Sequence, residues 1–180
     1  MLTPTLAWIA AISGALALAA AAPSETNVMG RLPSLTAKHL EQHRIEPSPI
    51  PGGRTLALVA FDRTHRSEIR SWIDGLRLNQ DSAIAWFKMP VLKDPGSERA
   101  RSDIESRLQA GHGGAGPHAR VVPIFTNPDD FIRAAGLSGK DHASVLVLNR
   151  DGRVLARAEG QFDEAKAQAL RETLLAQRVD

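Results

Sequence analysis

Two apolar runs limit what this chain can fold into. Residues 55–61 read TLALVAF and residues 143–149 read ASVLVLN, each bounded by turn signals. A run that is apolar on both alternating sides suits a strand covered on both faces, as in the parallel sheets of α/β proteins. Helical spacing follows the first run, with Ile69, Trp72, Ile73 and Leu76 at i, i+3, i+4 and i+7 and Thr64 as the expected cap. The second run leads through Asn149, Arg150, Asp151 and Gly152 into residues 153–158, a β-hairpin signal. Asp163 is placed to cap a last helix that turns Ala167, Leu170 and Leu174 inward.

Between the two runs, residues 83–89 (AIAWFKM) are a strand candidate that Pro90 is expected to end. Ser97 opens a helix with Ala100, Ile104 and Leu108 on one face and Gly111 past its end. Residues 111–117 (GHGGAGP) form a glycine-rich loop, and residues 120–125 a strand in which Pro123 argues for an edge or a strand end. Asn127 followed by Pro128 starts a short helix ending at Gly136. Upstream, residues 35–50 are expected to form a β-hairpin turning near Glu41 and Gln42. The alternation of strands and helices implies an α/β fold with a mainly parallel central sheet, an antiparallel C-terminal hairpin and an N-terminal β-hairpin.

The 180 residues suffice for one ordinary domain. Residues 6–22 are uncharged and end in small residues, which reads as an export signal over residues 1–21, cut after Ala21. At 17 residues the stretch also lies at the lower limit for a retained membrane anchor. Residues 22–33 are expected as a tether and residues 34–178 as the domain. The expected location is therefore periplasmic or secreted, with membrane anchoring as the alternative.

The chain has no cysteine. Thiol–disulfide exchange and thiol peroxidase chemistry need a thiolate nucleophile, so the chain's own side chains cannot perform either. With 22 basic against 20 acidic residues, no Lys/Arg run and few aromatics, the composition gives no nucleic-acid footprint. No G-x-S-x-G or Walker A motif is present.

The order of elements, carried by TLALVAF and by ASVLVLNRDGRVLARAEG, resembles the thioredoxin-like superfamily over most of residues 34–176. That resemblance implies a three-layer α/β fold. It also places two active-site features. The dithiol position corresponds to residues 61–66, and the cis-proline position to Ala143 or, less well, His142. Neither holds the redox residue. The C-terminal half, TNPDDFIRAAGLSGKDHASVLVLNRDGRVLARAEGQFDEAKAQALRETL, looks most like the thioredoxin-like factors that assist mitochondrial ATP synthase assembly, and like small bacterial exported redoxin-like proteins. Those assembly factors also lack the dithiol and act as chaperone-like factors.

The position of the lost dithiol supplies the one candidate ligand site. Asp62, Arg63, His65 and Arg66 lie at an expected helix start, where exposed N–H groups and cations could hold a phosphate or carboxylate. The plainer reading, a solvated helix start, is favoured because surface charge effects there are small. His39 and His43 (HLEQH) flank an expected turn without a third ligand, and His112 and His118 bracket the glycine-rich loop without Cys or carboxylate neighbours, so no metal and no cofactor are expected. Trp72, Trp86 and Phe87 read as core. Residues 89–96 (MPVLKDPG) read as a connector, with a recognition loop as the alternative. The expectation is a non-catalytic exported protein whose partner is another protein, membrane-associated or soluble. An enzyme or binding protein that uses the degenerate pocket for a small anion is the alternative, and a bare scaffold is a third reading.

Overall fold

The computed structural model describes residues 29–33, 53–110 and 120–176. The expected signal segment, the N-terminal hairpin, HLEQH and the glycine-rich loop lie outside the described residues.

Among the described residues, seven strands and four helices follow one another as β1 (Gly30–Arg31), β2 (Thr55–Ala60), a 3-10 turn (Arg63–His65), α1 (Arg66–Gly75), β3 (Trp86–Leu92), α2 (Glu98–Ala110), β4 (Arg120–Val121), β5 (Ile124–Phe125), α3 (Pro128–Ala135), β6 (Ser144–Leu148), β7 (Arg153–Glu159) and α4 (Glu164–Leu175). The strand order is β1-β7-β6-β2-β3-β4, with β5 also on β3. β2 pairs in parallel with β3, and β3 with β4 and β5, whereas β6 is antiparallel to both β2 and β7 and β1 is antiparallel to β7. The sheet is therefore mixed: three of its six pairings are antiparallel, where a mainly parallel sheet was expected.

Alternation along the two apolar runs feeds two cores. Leu56 and Leu58 join Trp72, Trp86, Val145, Val147, Leu170 and Leu174 under α1 and α4. Ala57 and Val59 join Phe87, Met89, Phe131, Leu146 and Leu148 under α3 on the other face. Both faces of β2 and β6 are thus dry, which is why these strands read as unbroken apolar runs.

Several local features follow the sequence reading. Asn127 accepts from the Asp129 N–H, Pro128 opens α3, and Gly136 closes it at φ 70°. Asp163 Oδ1 accepts from the Lys166 N–H at 2.9 Å and starts α4. Ser97 Oγ accepts from the Ala100 N–H at 3.3 Å and starts α2.

Four local features differ. The cap before α1 is Asp62, whose carboxylate accepts from the Thr64 N–H at 2.8 Å, so Thr64 is the capped residue rather than the cap. β3 does not end at Pro90 but continues to Leu92, so residues 89–92 are strand rather than connector. The Val122 N–H donates to the Lys88 carbonyl at 2.8 Å and the Thr126 N–H to the Leu92 carbonyl at 2.9 Å. Even-numbered residues of β3 therefore face the edge strand, where Pro90 has no N–H to give. The ladder breaks there instead, splitting β4 from β5 without changing register. Finally, the end of the expected tether is part of the sheet. Gly30 and Arg31 pair with Val154 and Arg153, and Leu32 is buried in the α3-side core. Gly30 is needed for this, because a Cβ there would stand 2.5 Å from the Ala135 carbonyl carbon and oxygen.

Arg54, just ahead of β2, is only 2% exposed. Its guanidinium donates to the Thr173 carbonyl at 2.6 Å and also to the Ala176 carbonyl, closing the C-terminal end of α4.

Candidate functional site

The carboxyl end of β2 runs through Phe61 into the 3-10 turn and α1, and faces the start of β6. The four residues singled out from the sequence meet different fates here. Asp62 is committed to the helix start: the hydrogen bond from the Thr64 N–H, with its side chain's help, holds the carboxyl below its ordinary value. His65 turns inward to 4% exposure, and its Nδ1 accepts the Phe61 N–H at 3.3 Å. Its ring stands edge-on to Phe61, which in turn stands edge-on to Phe131 at 6.1 Å between centroids. Asp62, Arg63 and Arg66 are exposed, Asp62 with its carboxylate engaged in the cap. His65 thus faces the interior while the other three residues lie on the exposed side.

A different set converges. Glu68, in the first turn of α1, accepts the Ala143 N–H through Oε2 at 2.6 Å and a hydrogen bond from His142 Nδ1 through Oε1 at 2.9 Å. The Glu68 side chain is 13% exposed, and that of His142 is 63% exposed. Burial pushes the Glu68 carboxyl up, but the His142 and Ala143 hydrogen bonds together with the His142 charge hold it below its ordinary value. The hydrogen bond to Glu68 and then the Glu68 charge raise His142. The arrangement fixes α1 to β6 and leaves the outer edge of the imidazole in water. Further along α1, Ser71 Oγ accepts the Phe162 N–H at 3.0 Å and Trp72 Nε1 donates to the Gly160 carbonyl at 2.8 Å, tying this flank to the segment before α4.

On the sheet below the opposite flank lies Lys88, half-buried, the single charge within residues 83–89. Burial lowers its ammonium below the usual lysine range, and the nearby Arg70 and Arg66 guanidinium groups add to that. A charge inside an otherwise apolar strand run is a signal the sequence carries. The Glu68–His142 contact spans 74 positions and has no local signature.

A groove of about 700 Å³ lies at the other end of α1, lined by residues that include Leu76, Ile84, Leu174 and Leu175 and rimmed by the Arg171–Glu164 pair at 2.7 Å. It is remote from residues 62–66. Among the described residues no group of three or more His, Asp or Glu side chains could hold a metal ion, and no helix is long and apolar enough to cross a membrane.

No family model and no curated protein matches the chain. Two solved structures are similar in part. A candidate electron transfer protein from Aquifex aeolicus VF5 is 16% identical, covering 67% of this chain and 78% of that one, with a TM-score of 0.43. A hypothetical protein from Sinorhizobium meliloti 1021 is 15% identical, covering 68% of this chain and 61% of that one, with a TM-score of 0.34. Likenesses of this degree carry no argument about family or activity.

Proposed function

We propose that this is an exported, thioredoxin-like protein without thiol chemistry that acts by binding another protein, as an assembly or chaperone-like factor. The observation that carries the reading is the absence of cysteine from a chain whose elements follow the order the resemblance implies. Strand, helix and strand (β2, α1, β3) are followed by an antiparallel hairpin and helix (β6, β7, α4). The residues standing at the former redox positions support the same view. Asp62 is spent on a cap and His65 on packing. Ala143, at the position the resemblance gives to proline, donates its N–H to Glu68, a bond that proline could not make. The region is organised to hold helix against sheet rather than to attack a substrate. That leaves the surface as the part that functions, on the general ground that function resides in sites and not in the fold.

The alternative, a small anion held by Asp62, Arg63, His65 and Arg66, is weakened by the inward turn of His65. The protein-binding reading is tested by affinity capture of the full chain from membrane and soluble fractions. A single stoichiometric protein partner supports it; no partner, with turnover of a small anion, overturns it. Export is tested separately by intact mass, with loss of residues 1–21 as the expected result and a full-length species pointing to a retained anchor.

A further inference from the structure

Arg66 and Arg70 lie one helical turn apart on the exposed side of α1. At about 100° per residue they occupy one flank of the helix, while Glu68 occupies the other, and Ile69, Trp72 and Ile73 point down between them. The Glu68 flank faces β6, as its bond to Ala143 fixes. Because the strand order is β6-β2-β3 and α1 covers β2, the arginine flank overhangs β3. Lys88 lies there, paired in register with Leu58 and therefore projecting on the α1 side of the sheet with Trp86. Its lowered ammonium has two arginines and no acid among its causes. Among the described residues none of the three cations forms a salt bridge.

We infer that Lys88, Arg66 and Arg70 form a docking surface for an extended acidic segment of a partner protein. The inference rests on the protein-binding reading above and specifies the chemistry of the partner. Lys88, half out of water and repelled by the two arginines, carries a cost that incoming carboxylates relieve. The spacing favours a chain over a single ion. Arg66 and Arg70 are offset by about 6 Å along the helix. Alternate side chains of an extended strand are about 6.6 Å apart, so a Glu-x-Glu pair matches them.

The test is titration of the full chain with a decapeptide of alternating Glu and Ser at low ionic strength, with the Gln/Ser decapeptide as control. Saturable binding of the Glu peptide alone is expected, weakening with added salt. Lys88→Met is expected to lower affinity about threefold or more, and the Arg66→Gln/Arg70→Gln double variant, which alters only exposed positions, by a similar factor or more. Arg99→Gln, an exposed arginine on α2, should change it less than about twofold. Absence of saturable binding, or an equal loss with Arg99→Gln, overturns the surface. If the wild-type chain captures a protein partner that the combined Lys88→Met/Arg66→Gln/Arg70→Gln variant retains with undiminished affinity, this surface is wrong and the protein-binding function stands. If the peptide binds as described but no partner is captured, the surface stands and the function reading fails.

Discussion

The Glu68 carboxylate and the Ala143 N–H meet at 2.6 Å, joining the first turn of α1 to the start of β6. Ala143 is fully buried, so its N–H has no water to turn to if the carboxylate is removed. Glu68→Ala is expected to destabilise the fold by about 1–3 kcal/mol, the cost of a buried donor left without an acceptor. Glu68→Gln keeps an acceptor oxygen and should cost less. Urea denaturation of the two variants beside the parent checks the order.

The same contact sets a pH window. The Glu68 carboxyl is pushed up by burial and held down more strongly by its hydrogen bonds and the His142 charge, ending below its ordinary 4.5. Its contribution is present above that value and disappears as pH falls through the lower folded value. His142 is raised above 6.5 by the hydrogen bond to Glu68 and then by its charge, so its contribution is complete below 6.5 and disappears as pH rises through the higher folded value. Both groups favour the fold between the ordinary values of 4.5 and 6.5. His142→Asn is expected to remove the decline on the alkaline side of that window and leave the acid side partly in place. Unfolding free energies measured from pH 4 to pH 9 decide it, and an unchanged alkaline slope would count against the pairing.

Arg54 is a second long-range tie. Replacing it with Met leaves the Thr173 and Ala176 carbonyls at the end of α4 without their charged donor. A loss of about 2–4 kcal/mol is expected, in line with hydrogen bonds to charged groups. Hydrogen exchange should show the loss concentrated in the last turn of α4, and uniform change across the sheet would contradict the assignment.

Much of the fold was legible because its signals are local. β2 and β6 are dry on both faces and appear as apolar runs; Asn127 and Asp163 accept from N–H groups within three residues, and Pro128 fills the first position of α3. β1 has no such signal. Two residues, Gly30 and Arg31, become a strand only because β7 offers an edge and Ala135 leaves room for no side chain. Pro90 was misleading for a related reason: its effect depends on which neighbour its nitrogen faces, and it faces an edge strand that breaks around it. At the candidate site the sequence placed Arg63 and Arg66 at the helix start, but gave no hint that His65 would turn inward. Glu68 and His142 were invisible for want of any local pattern, whereas Lys88 carries one, a lone charge in an apolar strand run, that was not read as a site.

Gly30→Ala tests whether β1 belongs to the domain. The added methyl must displace either β1 or the end of α3, because the nearest atoms are Ala135 backbone. A destabilisation of about 1–3 kcal/mol is expected. The Met29 and Leu32 amides, bonded at 2.9 Å to the Val154 and Gly152 carbonyls, should lose exchange protection first. Unchanged protection at both would show that β1 does not depend on this close approach.

The central proposal is that a chain without thiols, the positions that the resemblance assigns to redox residues committed to capping, packing and a helix–sheet tie, works by binding another protein. Native mass spectrometry of the complex recovered on the full chain from membrane and soluble fractions measures this directly. A single protein partner at fixed stoichiometry is the expected result. Recovery of the chain alone from both fractions, together with turnover of a small anionic substrate by the purified chain, would contradict it.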